Sequence, residues 1–223
     1  MSTYLLVNLL SILFPVLLSF DRKVHFIRRW PAALLSILPA GTVFVIWDVI
    51  ATRRGDWSFN PAHVGAFTLF GLPLEEIMFF MLIPFSCIFI YECVICYRRE
   101  REITVPRLAP IAAGVVFSLL AIPAFGRDYT FLAALACALF FLSGGLFFPT
   151  LFRSSNFWIS MGIIYVPFAI VNGVLTGIPV VRYADHAITG VRVGTIPLED
   201  FFYNLALIGA DIALYRNLRQ RFS

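Results

Sequence analysis

Charge is scarce in this chain. Only 13% of its 223 residues are charged and 60% are hydrophobic, against about 25% and about 45–50% in a soluble domain. Mean hydropathy is +0.87. These values exclude a water-soluble globule and point to an integral membrane protein. Lysine is nearly missing: Lys23 stands alone in a connection between apolar runs, so no Schiff base can form inside a helical bundle. Neither His-Glu-x-x-His nor an Asp-rich cluster occurs, and no metal is expected. Gly-x-Gly-x-x-Gly and Walker sequences are missing too, so no nucleotide fold is indicated. The four cysteines lie in apolar segments; Cys93-Val94-Ile95-Cys96 has no second pair and reads as small buried hydrophobes. Met1-Ser2-Thr3-Tyr4 lacks the basic stretch of a cleavable leader, so the first apolar segment is expected to be retained.

What the chain has is apolar length. A spanning helix needs roughly 20 apolar residues, and seven segments meet or approach this: 4–20, 31–51, 73–97, 107–125, 129–151, 157–178 and 197–216. The expected fold is all-α, an integral membrane bundle of about seven transmembrane helices. Of the 17 Lys and Arg residues, only Arg53, Arg54, Arg127, Arg182 and Arg192 fall in connections on the N-terminal side. The positive-inside rule then predicts a multi-pass cell-membrane protein with its N-terminus outside and its C-terminus in the cytoplasm. The net charge of +4 reads as topology and contact with anionic lipid, not as a nucleic-acid footprint.

One stretch occurs twice. Gly71-Leu72-Pro73-Leu74-Glu75-Glu76-Ile77-Met78-Phe79-Phe80 is answered 124 residues later by Thr195-Ile196-Pro197-Leu198-Glu199-Asp200-Phe201-Phe202-Tyr203-Asn204. At the same offset Asp48 falls on Asn172, Phe59 on Tyr183 and Tyr91 on Tyr215. Three helices per unit would invert a second copy that followed directly. A charge-free spacer helix between the units restores the direction and makes the repeats parallel, related by a pseudo-twofold axis along the membrane normal. The predicted organisation is a first three-helix repeat over 1–98, a spacer transmembrane helix over 99–126 and a second three-helix repeat over 127–223.

A proline followed by two acids is an ordinary helix start, because acids there complement the macrodipole. In a membrane the same acids are costly and mark function. Glu75, Glu76, Glu199 and Asp200 are therefore the candidate catalytic residues. Adjacent helix positions are about 100° apart, so the two members of a pair cannot point the same way. Burial and like charge favour the protonated form and a helix N-terminus favours the ionised one. Both forms are expected among four carboxyls, as acid/base work requires. Phe79, Phe80, Phe202, Tyr203 and Asn204 follow on the same helix faces, and Asp48 and Asn172 could line the same cavity. Interhelical hydrogen bonding is an equal reading for the last two. Asp211 is expected to pair with Arg216, and Glu92 to extend towards the far interface.

These motifs, together with Tyr183, Ile188-Thr189-Gly190 and the second Pro-x-Glu-Asp copy, resemble those of the lycopene cyclase domain family, the small membrane type found as two subunits or as a fused tandem. The resemblance covers essentially the whole chain; the first copy departs where it has Phe59 and Gly65-Ala66 in place of Tyr183 and Thr189-Gly190. It implies a carotenoid substrate, lycopene or a relative, whose end group is protonated and closed to a β-ring with no net redox change and no cofactor. The implied surroundings are the lipid bilayer, with no nucleic acid; association into a homo-oligomer is left open. A proton-coupled transporter is the competing class, and it predicts helices interrupted near the midplane with acids at mid-depth.

Overall fold

Apolar runs of this length fold as helices because a backbone in hydrocarbon must satisfy its own N–H and C=O groups. The computed structural model describes residues 1–222. Among these the helices are α1 (Thr3–Leu18), α2 (Trp30–Arg54), α3 (Leu74–Tyr97), α4 (Ala109–Ala121), α5 (Asp128–Phe147), the short α6 (Pro149–Phe152), α7 (Ser155–Gly177) and α8 (Leu198–Arg219). The fold is helical, and four segments are long and apolar enough to cross a membrane: Phe26–Arg54, Leu74–Tyr97, Asp128–Phe147 and Ser155–Gly177. Thr3–Leu18 and Ala109–Ala124 are apolar but shorter. The helix α8 is diluted by Glu199, Asp200, Asp211, Arg216 and Arg219, most of which are buried against its neighbours.

Boundaries differ from the expected segments where local chemistry intervenes. A 3₁₀ turn at Phe26–Arg29 leads directly into α2, and the helix runs on to Arg54, where Gly55 closes it in the left-handed conformation (φ 84°). The fifth segment stops at Phe147, and Pro149 starts the separate α6, since its ring cannot continue the helix before it.

At the centre α3 packs against α8; α1 lies on α3, α5 on α8, and α4 covers α5. The connections before the two motifs carry short ladders that the apolar pattern did not announce. Strand β1 (Trp57–Phe59) pairs antiparallel with β4 (Val181–Tyr183), so Ser58 faces Arg182, the residue 124 positions later. Hairpin β2 (Thr68–Leu69) with β3 (Leu72–Pro73) is matched at the same offset by β5 (Arg192–Val193) with β6 (Ile196–Pro197). The first hairpin turns through Phe70 and Gly71, both at positive φ (56° and 95°). Glycine takes that conformation freely, whereas an exposed phenylalanine there is strained.

At the other end, Glu92 does not reach outward. Its Oε1 accepts from Tyr215 Oη and Arg219 Nε, each at 2.5 Å, tying α3 to α8. Asp211 and Arg216 do not pair: both Asp211 oxygens and Arg216 Nη1 are buried without a hydrogen-bond partner. Between α3 and α4, Glu100 caps α7 by accepting from Ser154 Oγ (2.7 Å), Ser155 Oγ (3.2 Å) and the Asn156 amide (3.2 Å). Partial burial pushes the Glu100 carboxyl up, but these donors outweigh it and hold the group below its ordinary range. A depressed carboxyl contributes stability that is present above its unfolded value and lost as pH falls through the folded one. Glu100→Gln is therefore expected to lower the thermal midpoint at neutral pH, with the difference from the parent closing as pH falls below about 4.3, the ordinary glutamate value.

Candidate active site

Each motif starts its helix with proline held in a strand pair, and the amide after it donates back across the hairpin, Leu74 to the Phe67 carbonyl (3.0 Å) and Leu198 to the Val191 carbonyl (2.9 Å). The two acids of a pair then part ways. Glu75 Oε1 accepts from Ser2 Oγ (2.6 Å) and the Gly65 amide (2.8 Å). Glu199 Oε1 accepts from Thr130 Oγ1 (2.6 Å), the Thr189 amide (2.7 Å) and Thr189 Oγ1 (2.8 Å). Each first acid thus clasps the opening of an earlier helix, α1 or α5, to the loop before its motif. Gly65 is small for a reason: a Cβ there would lie 2.7 Å from Glu75 Oε1.

The second acids face inward. Glu76 and Asp200 line a cavity of about 670 Å³ with Asp48, Asn172, Phe79, Phe80, Tyr203 and Asn204. On α3 the lining continues at Ile83, Cys87 and Ile90, and on α8 at Leu207 and Ile208. These are i, i+3, i+4 and i+7 stripes that begin at the second acid of each motif. Glu75, Glu199 and Phe202 lie off the stripes and do not line the cavity. Phe202 packs on Phe117 of α4 (5.4 Å between ring centres), and its carbonyl accepts from Cys137 Sγ.

Tyr183, which falls on Phe59 at an offset of 124, and two tyrosines that the repeat alignment did not single out complete the site. Tyr4 Oη donates to Glu76 Oε2 at 2.6 Å. Tyr129 Oη donates to Asp200 Oδ1 at 2.5 Å, and Tyr183 Oη to Asp200 Oδ2 at 3.0 Å. Burial first, and then the charge of Asp200, hold the Tyr183 phenol far above its ordinary value, so it remains a donor. Tyr4 and Tyr129 occupy matching places: their amides donate to the carbonyls of His63 and Ala187, both at 3.0 Å. They are 125 residues apart, and that one-residue slip hides them from a search at 124. Trp57 Nε1 donates to Asp48 Oδ1 at 2.7 Å. Asp48 lies beside Glu76, and its Oδ2 is buried with no donor.

Aromatic faces surround these carboxyls. Tyr203 sits 4.7 Å from Phe44, 4.9 Å from Trp47 and 6.2 Å from Tyr129 between ring centres, and Tyr129 stacks on Tyr183 at 5.5 Å. Among the described residues no group of His, Cys, Asp and Glu is arranged to hold a metal. Chemically, the site sets carboxyls and phenols, groups that can give and take protons, among aromatic rings.

An apolar helical protein with four helices long enough to cross a bilayer and carboxyls buried in a hydrophobic cavity is of the membrane-protein class. The chain belongs to the lycopene cyclase family, whose model matches residues 1–94 and 126–218. It is similar to a bifunctional lycopene cyclase/phytoene synthase of Phycomyces blakesleeanus, 40% identical over 67 residues, covering 29% of this chain and 11% of that protein. A second protein of the same description, from Sporisorium reilianum, is 37% identical over 87 residues, covering 36% of this chain and 12% of that protein. The aligned stretches thus span about a ninth of these relatives' length. No solved structure matches the chain.

Proposed function

We propose that this protein converts the open end groups of lycopene into β-ionone rings by proton-initiated cyclisation within the membrane. The observation that carries this reading is the meeting of the second acids of both motifs, Glu76 and Asp200, in one apolar cavity ringed by aromatic side chains. In the proposed sequence, Glu76 delivers a proton to C2 of the end group. The C5=C6 double bond then attacks the cation at C1, forming the C1–C6 bond and leaving positive charge at C5. Loss of the C6 proton restores a double bond between C5 and C6. The protons balance, no electrons are exchanged and no cofactor is consumed.

The hydrogen bonds support a division of labour. The unpartnered Asp48 oxygen beside Glu76 suits a proton shared between two carboxyls that cannot both be ionised. Asp200 accepts from phenols at both oxygens, which suits a carboxylate that faces the cation and takes the C6 proton. Asp200 then passes that proton to solvent, and the Glu76–Asp48 pair is reprotonated from solvent before the next turnover. Tyr203, Tyr129 and Phe80 present π faces to the positive charge. The largely apolar walls exclude water, which would otherwise trap the cation as an alcohol. Glu75 and Glu199 act as positioning residues that fix the helix starts.

The same reading includes a two-unit architecture, 1–98 and 127–223 joined through 99–126, with both motifs at the outer interface. It draws support from the Ser58–Arg182 pairing and from hairpins that match at an offset of 124. A transporter would call for helices broken at mid-depth, whereas α3 and α8 run unbroken from their acids to their far ends. The test is expression in cells that accumulate lycopene, followed by reaction in D₂O. Ring formation with one non-exchangeable deuterium per ring is expected. Unchanged lycopene beside folded protein defeats the proposal, and unlabelled rings defeat the proton-initiated step.

A further inference from the structure

The cavity is open on one side. Among its lining residues, Leu10 and Phe14 of α1 and Ile170 of α7 are also 57%, 66% and 64% exposed. Cavity wall and outer surface are therefore the same side chains there. The helix α1 is fastened to α3 and touches α7 only slightly. One contact is specific: Pro15 has no N–H for the Ser11 carbonyl, which lies 3.1 Å from Ser86 Oγ of α3, a hydroxyl whose other acceptor, the Leu82 carbonyl of its own helix, is at 2.8 Å. The other sides are filled. The pair β1–β4 brings Phe59, Val181 and Tyr183 over the acids, and α2 and α5 close against α8 through Phe44, Trp47, Tyr129 and Tyr203.

Length then decides how a polyene sits. From Glu76 to Ile90 the lining of α3 rises about 21 Å, at about 1.5 Å per residue. A C40 polyene is about as long as the hydrocarbon core is thick, about 30 Å. The cavity holds the reacting end and part of the chain but not the far end. We infer that the cleft between α1 and α7 is a lateral portal through which the polyene enters from the bilayer, reacting end first, with its distal part left in the cleft and the surrounding lipid. The identity of the occupant rests on the cyclase reading; the openness of the cleft does not.

The test uses the full-length protein in lipid vesicles. Leu10→Trp, Ile170→Trp and the double variant narrow the cleft, while Val43→Trp and Leu139→Trp add the same bulk at lipid-exposed sites of α2 and α5 that do not line the cavity. Two quantities are read: the initial rate with lycopene, and quenching of the introduced tryptophan by lycopene beyond that of the parent protein. The double variant is expected to turn over about tenfold more slowly or worse, because displacing bound substrate from reacting geometry is that costly. Controls should keep the parent rate, and quenching should be strong at positions 10 and 170 and weak at 43 and 139. An active parent with unimpaired portal variants and no preferential quenching overturns the portal and spares the cyclase reading. An inactive parent with strong quenching at 10 and 170 supports the portal and overturns the cyclase reading. Equal slowing by portal and control variants also overturns the portal. The single variants keep the quenching arm decisive if the double variant fails to fold.

Discussion

Glu76→Gln is expected to lower the cyclisation rate by about 10²–10⁴-fold, the range that a positioned acid contributes, with little change in the amount of folded protein. Glutamine keeps the volume of the side chain and an acceptor oxygen for Tyr4 Oη, which now bonds Glu76 Oε2 at 2.6 Å. What it lacks is a proton to release. Protonating an unactivated alkene is strongly uphill, so the site must stabilise the cation more than the alkene, and no other group can replace the donor cheaply. Asp200→Asn should cost a comparable factor for the opposite reason. It removes negative charge facing the cation and leaves one of two phenols, Tyr129 or Tyr183, without its acceptor. Initial rates with lycopene, normalised to folded protein, measure both. A Glu76→Gln protein running within a factor of a few of the parent would move the acid to Asp48.

Helical class and the approximate positions of the apolar segments were legible because hydrocarbon leaves a backbone few alternatives. The doubled acids were legible because charge in an apolar run is conspicuous. Their division of labour was only half legible. The 100° step between neighbours said that Glu75 and Glu76 diverge, but not which one meets the cavity. That choice is made by Ser2 and Gly65, which lie 73 and 10 residues away and take hold of Glu75. Phe202 illustrates the same limit: a ring three residues after Glu199 follows that acid towards α4 and α5, not towards the cavity. Tyr4 and Tyr129 carry no local signal, since a tyrosine in a first turn is unremarkable until a carboxylate from another helix reaches it. Glu92 and Asp211 were misjudged because their surroundings come from helix packing: α8 brings Tyr215 and Arg219 to Glu92 and leaves Asp211 without a partner.

Glu199→Ala should damage the fold more than the chemistry. One oxygen, Oε1, accepts all three bonds that join the start of α5, the loop at Thr189 and the motif of α8. Hydrogen bonds to a charged group contribute about 1.5–3 kcal/mol each, and an orphaned buried donor costs about 1–3 kcal/mol. Thr189 is exposed enough for water to replace part of what is lost, so a net loss of about 2–4 kcal/mol is expected. It would appear as a lower midpoint of thermal unfolding in detergent. Glu199→Gln keeps an acceptor at Oε1 and should recover much of that loss. The rate per folded molecule should fall by less than about tenfold in either variant, well short of the acid/base range, because neither removes a group that lines the cavity. The separation between stability and rate is what assigns the residue. A Glu199→Ala protein as stable as the parent yet inactive would place the first acid of the motif in the reaction itself. The clasp would then be a means of holding that acid's second oxygen, Oε2, buried and unpartnered, ready for a proton.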